Sequence, residues 1–187
     1  MLYLISGASR SGKTLLAQKL QAEKNLPYLS LDWLMMGFYN GIPEYGIHPL
    51  LMPDEIARKM WPFLKGMIDN LIYDDIDYVI EGEAMLPELL IELKKKYPGK
   101  TKAVFLGFAD VDPNLKFDQI KTYSTGVDDW LIKESDAYIK DHIENMIRHS
   151  TMIREECAKW NLSYFETSIE FLDVLKEAEM TLVGNNE

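Results

Sequence analysis

Eight residues near the start of the chain, Gly7-Ala8-Ser9-Arg10-Ser11-Gly12-Lys13-Thr14, satisfy the spacing G-x-x-x-x-G-K-[ST]. Each fixed type has a chemical reason. Gly7 and Gly12 permit backbone angles at which successive amides converge on phosphate oxygens. Lys13 brings a charge to the outer phosphates. Thr14 offers a hydroxyl to Mg²⁺, an ion that keeps several waters and needs few protein ligands. An apolar run, Leu2 to Ile5, comes just before, and a helical pattern from about Lys13 to Lys24 follows. The helix would point its N-terminus at the anion. Gly7 to Thr14 are therefore expected to bind the phosphates of a nucleoside triphosphate, taken as ATP. The alternative, a tight turn whose glycines serve only the backbone, would match the fixed positions by chance in roughly 1 chain in 100 of this length.

Two further stretches place acids at strand ends. Asp32 closes the apolar run of YLSLDWL, and Glu81-Gly82-Glu83 follows DYVI. In open α/β sheets ligands sit beyond the carboxyl ends of the strands. A carboxylate there, within hydrogen-bond reach, can take the proton of an attacking hydroxyl. Asp32 is the expected group for this; its other reading is the cap of a helix starting at Trp33. Glu81 is expected to orient Mg²⁺ through water, together with Thr14. Glu83 is expected at the metal or the acceptor, or else as a negative charge in the first turn of the next helix.

With these residues in order, the chain resembles the P-loop kinases of small molecules, the nucleoside- and nucleotide-kinase group. The E-G after an apolar strand is also similar to uridine-kinase-like and 2-phosphoglycerate-kinase-like proteins. In the latter an apolar stretch and a proline follow, as in Ala84-Met85-Leu86-Pro87 here, but the histidine expected shortly after the glycine is absent. The resemblance implies a three-layer α/β/α P-loop fold, and phosphotransfer from ATP with Mg²⁺ to an unidentified small-molecule acceptor. It also implies an acceptor-binding insertion (33–73) and a lid (110–129). Tyr123-Ser124-Thr125-Gly126 would be the lid tip. An N-K-x-D guanine motif and an L-S-G-G-Q signature are missing from the sequence.

Four arginines occur: Arg10, Arg58, Arg148 and Arg154. That is few for a nucleoside monophosphate kinase, which surrounds two sets of phosphates. Arg58 lies in the insertion and is a candidate for the acceptor, or for a surface pair with Asp54 or Glu55. Arg154 is a candidate for the transferring phosphoryl group. Arg148 has Glu144 one turn before it, the spacing of a helical ion pair. Arg10 has no assignment. His142 and His149 share a helical stripe and read as borders of a buried face. A binder of nucleotide with no transfer activity remains the alternative class.

Elements must position these groups. Short apolar runs at Leu2–Ile5, Tyr28–Leu31, Asp77–Ile80, Ala103–Phe108 and Leu162–Phe165 alternate with helical patterns. This predicts one α/β domain over residues 1–187, with a five-stranded parallel sheet and right-handed crossovers. Pro87 opens a helix through Lys96. Residues 110 to 126 read as loop, and a long helix is expected over Asp129–Trp160. Its positions Ile139, Ile143, Met146, Ser150, Ile153 and Cys157 step by three and four, which makes one buried face. The net charge of −10 argues against a nucleic-acid partner. No apolar stretch is long enough to span a membrane. The single cysteine fits a reducing compartment, so a soluble cytoplasmic monomer or homodimer is expected.

Overall fold

The structure, a computed structural model, describes residues 1–123 and 129–184. Five parallel strands form one sheet in the order β2-β3-β1-β4-β5. They are β1 (Leu2–Gly7), β2 (Tyr28–Ser30), β3 (Tyr78–Glu81), β4 (Thr101–Gly107) and β5 (Ser163–Glu166). Seven α-helices connect and follow them: α1 (Lys13–Lys24), α2 (Leu31–Gly41), α3 (Pro53–Tyr73), α4 (Pro87–Lys96), α5 (Pro113–Tyr123), α6 (Asp136–Trp160) and α7 (Phe171–Val183). Short 3₁₀ turns lie at Pro43–Tyr45 and Leu131–Lys133.

Alternation along the central strands builds two cores. Leu2, Leu4, Ile80 and Phe105 face a layer containing α3, α4 and α6, where they meet Met60, Leu64, Leu90 and Ile153. Ile5, Val79, Val104 and Leu106 face α1 and α7, packing on Leu16, Leu20, Leu175 and Leu182. A third cluster joins Ala8 of the glycine-rich loop to Phe108, Ile120, Leu131, Ile139 and Ile143, and so seats that loop on α5 and α6. Phe105 is fully buried in the centre of β4. Phe105→Ala is expected to lower stability by about 3–5 kcal/mol in chemical denaturation; a loss under about 1 kcal/mol would mean the core packs differently.

The buried stripe of α6 consists of Ile139, Ile143, Met146, Ser150, Ile153 and Cys157, as the periodicity predicts. Burial pushes the Cys157 thiol up to about 12, consistent with a packing role. The boundaries need correction. α6 starts at Asp136, because the Ser135 hydroxyl caps it by accepting the Tyr138 N–H at 3.2 Å. The stretch expected as loop before it contains α5. Its turn-like residues are a helix start: Asp112 Oδ1 accepts the N–H groups of Asn114 and Leu115, with Pro113 in the first position. Within the lid range of the sequence reading, 113–123 is thus helical; residues 124–128, with Ser124, Thr125 and Gly126 of the tip, lie outside the described residues.

The insertion is also more regular than its Gly- and Met-rich sequence suggests. α2 begins at Leu31, directly after β2, and buries Leu31 and Phe38. Phe38 stacks on Tyr45 and meets Phe63 edge-on, while Trp33, Tyr39 and Met36 remain exposed. Only part of that aromatic set is core. The lysine run at the end of α4 sits at the favourable pole of the helix, and Lys96 pairs with Asp69 at 2.7 Å.

Candidate active site

β1 ends in Gly7 and α1 begins at Lys13, so the loop Ala8 to Gly12 lies at the carboxyl edge of the sheet's central strand. Gly7 has φ 129°, and a Cβ there would run into the Leu106 carbonyl of β4. Only glycine permits this approach. The loop is tied down from within and without. Ala8 N–H donates to Leu106 O at 3.0 Å, Ser11 Oγ donates to Ala8 O at 2.8 Å, and Ser6 Oγ donates to Met85 O at 2.7 Å. Lys13 is buried, and its Nζ donates to Ala8 O at 2.6 Å, which folds the ammonium over the loop.

The order of strands brings the two acid-bearing segments beside this loop. β3 neighbours β1, and Ser30 of β2 is in register with Glu81. Glu81 is 1% exposed, and Thr14 Oγ1 donates to its Oε1 at 3.3 Å. Burial raises the Glu81 carboxyl above its usual range; Asp32 adds to this, while Ser30, Lys13 and Thr14 oppose it. Gly82, at φ 152°, turns the chain where a Cβ would come within 2.6 Å of Leu31 Cβ. Glu83 then stands within the electrostatic reach of Lys13, Asp32 and Glu81, with Ser9 and Lys13 favouring its ionised form. Burial raises its pKa as well. The first-turn acid of α4 is Glu88, not Glu83, so Glu83 has no helix to stabilise.

Asp32 lies in the first turn of α2, exposed, with Ser30 in the cap position. It is therefore not the cap of a helix starting at Trp33. Three carboxylates, Asp32, Glu81 and Glu83, surround one ammonium, Lys13. Such a basin repels a triphosphate unless a cation intervenes. Facing oxygen donors, the Thr14 hydroxyl and the Glu81 carboxylate, suit Mg²⁺. Among the described residues no group of three or more His, Cys, Asp or Glu is arranged to hold a metal alone.

Linkage gives this burial a measurable consequence. A carboxyl whose pKa is raised in the native state costs no stability at acid pH, where it is neutral folded and unfolded. The cost develops as pH rises through the raised value. In EDTA-containing buffer, Glu81→Gln is expected to melt above wild type near neutral pH, and the gap should close on acidification. Equal Tm values near neutral pH would contradict the burial of charge here.

The arginines are placed by tertiary contacts. Both arms of Arg10 reach Asp129, one at 2.9 Å. Lys116, buried on α5 with its pKa lowered to about 8 mainly by burial, donates to Arg10 O at 3.3 Å and covers the Phe108 ring. Arg58 pairs with Glu88 at 2.6 Å rather than with Asp54 or Glu55. Arg154 pairs with Asp110 at 2.7 Å and lies in the field of Tyr164 and Glu166. Arg148 donates to Asn145 rather than to Glu144. Glu166, at the end of β5, joins the loops after β4 and β5 by accepting from Ala109 N–H at 2.9 Å and Ser168 N–H at 3.3 Å. Asp129, Lys116 and Glu166 have no sequence signal: Asp129 and Lys116 lie 119 and 106 residues from Arg10, and Glu166 lies 57 from Ala109.

The chain is similar in structure to shikimate kinase from Bacteroides thetaiotaomicron (TM-score 0.58, 16% identity, covering 96% of this chain and 96% of that one). It is also similar to a gluconokinase from Sinorhizobium meliloti 1021 (TM-score 0.57, 16% identity, 96% and 90%). Shikimate kinase from Aquifex aeolicus vf5 matches with TM-score 0.52 at 16% identity over 99% and 100%. No protein-family model matches the chain, and no curated protein does. The fold is that of the P-loop small-molecule kinases. Among the described residues no helix is long and apolar enough to cross a membrane.

Proposed function

We propose that the chain is an ATP- and Mg²⁺-dependent phosphotransferase that delivers the γ-phosphoryl group to a hydroxyl of a small molecule. The supporting observation is convergence: the glycine-rich loop, the Thr14–Glu81 pair and Asp32 meet at one end of the sheet. Neighbours named as shikimate kinase and gluconokinase support an acceptor of small size.

In this reading the amides of Ala8 to Gly12 and the N-terminus of α1 bind the phosphates. Lys13 leaves Ala8 O and turns to the outer phosphate oxygens. Thr14 and Glu81 would hold Mg²⁺, which when bound would offset the charge on the transferring group. Asp32 accepts the proton of the acceptor hydroxyl as its oxygen bonds to phosphorus. The bond from phosphorus to the bridging oxygen breaks, and ADP leaves. Glu83 faces the acceptor side. Arg58 borders that side through Glu88. Arg154, engaged by Asp110, is left out of this scheme. Three of four arginines are paired with carboxylates of the chain itself, which weighs against a nucleoside monophosphate as acceptor.

The test is calorimetry of ATP with Mg²⁺, followed by a coupled assay for ADP across a broad set of hydroxylated metabolites. Expected are ATP binding and ADP release that depends on one acceptor. Tight ATP binding with no acceptor-dependent turnover would favour the nucleotide-binding regulator instead.

A further inference from the structure

Arg10 occupies the middle of the glycine-rich loop, and its backbone has φ 58°, in the left-handed region. Outside glycine, asparagine and aspartate such an angle is uncommon, and it persists where surrounding contacts enforce it. Asn25 and Asn161 reach similar angles as C-caps of α1 and α6, a place that suits asparagine. Arg10 caps no helix. Gly12 is also at positive φ, 100°, while Ser11 between them is not. This alternation turns successive amides toward one point, the arrangement that binds an anion. If residue 10 relaxed to negative φ, the alternation would be lost.

Two groups from outside the loop hold Arg10. The Asp129 carboxylate accepts from both arms of the guanidinium, one at 2.9 Å, a fork that fixes direction as well as distance. Asp129 Oδ1 also accepts the Leu131 N–H at 3.1 Å, which holds the carboxylate itself in place. The Arg10 and Asp129 side chains are only 25% and 10% exposed, so salt screens this pair less than a surface one. Lys116 of α5 donates to the Arg10 carbonyl at 3.3 Å. It is buried, with Nζ 3.8 Å from the centre of the Phe108 ring. Phe108 and Leu131 belong to the apolar cluster that seats Ala8, so both grips stand on the same support as the loop. The Arg10 and Lys116 charges repel each other, and Asp129 offsets that repulsion. Side chain and carbonyl of residue 10 are thus fixed separately.

We infer that Asp129 and Lys116 are positioning residues for nucleotide binding: they hold Arg10 in the left-handed conformation that completes the phosphate cradle. This rests on the nucleotide-binding part of the phosphotransferase reading above, and it adds two residues from outside the loop motif on which triphosphate affinity depends. Both act through Arg10 rather than on the phosphates.

Glycine at position 10 separates positioning from general stability, because glycine adopts φ 58° without strain and offers Asp129 no side chain to hold. Calorimetry with Mg²⁺ and a non-hydrolysable ATP analogue, with Tm alongside, compares Asp129→Asn made in the wild-type chain and in the Arg10→Gly chain. In the wild-type chain the substitution is expected to weaken the analogue about tenfold, since the competent loop becomes the minor form. In the Arg10→Gly chain the same substitution should change affinity by less than about twofold. Lys116→Met keeps an unbranched side chain over Phe108 but removes the donor, and should weaken the analogue about tenfold as well. A merely structural contact would lower Tm in both chains and leave affinity alone. Equal losses of affinity in the two chains, or undiminished binding by Asp129→Asn or Lys116→Met, would overturn the inference. So would loss of binding by Arg10→Gly alone, because the guanidinium would then itself hold phosphate. Failure of the wild-type chain to bind the analogue would overturn the phosphotransferase reading instead.

Discussion

Asp32→Asn is expected to lower kcat by about 10²- to 10⁴-fold, the usual worth of a positioned general base, while ATP affinity stays within about twofold. The asymmetry follows from position. Asp32 lies in the first turn of α2, directly after β2, and it is exposed and outside the glycine-rich loop. Asparagine keeps size and polarity but cannot accept the hydroxyl proton. A loss in kcat with unchanged ATP binding marks an interaction made in the transition state. Steady-state kinetics with saturating acceptor, joined to calorimetry, reads both quantities. If ATP affinity falls as much as kcat, Asp32 acts by arranging the cleft, and the proton has another destination.

Lys13→Ala is expected to damage binding and turnover together. Removing one charge-stabilising donor from a preorganised site costs on the order of 10²- to 10³-fold in kcat. ATP affinity should fall as well, because Glu81 and Glu83 would then face the triphosphate with no ammonium between them. Lys13→Arg should rescue little. The ammonium is buried and reaches Ala8 O at 2.6 Å, a space fitted to a compact point charge rather than a planar fork. A Lys13→Ala protein that consumes ATP as wild type does would remove the loop from the chemistry.

What the sequence shows about this molecule depends on whether the determinant is local. The glycine-rich loop is legible because the roles of Gly7, Gly12, Lys13 and Thr14 are fixed by spacing alone. The α6 stripe and the Pro87 start of α4 are legible for the same reason. α2 is legible only as the alternative helix starting at Trp33, since Gly37 and Gly41 and an exposed Met- and Tyr-rich face obscure a helix that buries only Leu31 and Phe38. α5 is hidden behind Asp112-Pro113-Asn114, residues shared by turns and helix starts. Side-chain partners are the least legible. Spacing along one helix pairs Arg148 with Glu144 and Arg58 with Asp54 or Glu55. The structure instead gives Asn145 on the same helix and Glu88 across to α4. His149 reads as a border residue by periodicity, and only the folded surroundings of α6 show that its Nε2 is buried with no hydrogen-bond partner among the described residues.

Transfer of the γ-phosphoryl group from ATP to a hydroxyl at the cleft of Lys13, Glu81 and Asp32 carries its three non-bridging oxygens to the product. ATP labelled with ¹⁸O in its γ-phosphoryl oxygens, incubated with Mg²⁺, the protein and a small-metabolite extract, tests it by mass spectrometry. Expected is a labelled phosphomonoester that forms with wild type and falls sharply with Asp32→Asn and Lys13→Ala. Label found only in inorganic phosphate, or a labelled ester formed equally by all three proteins, would contradict it.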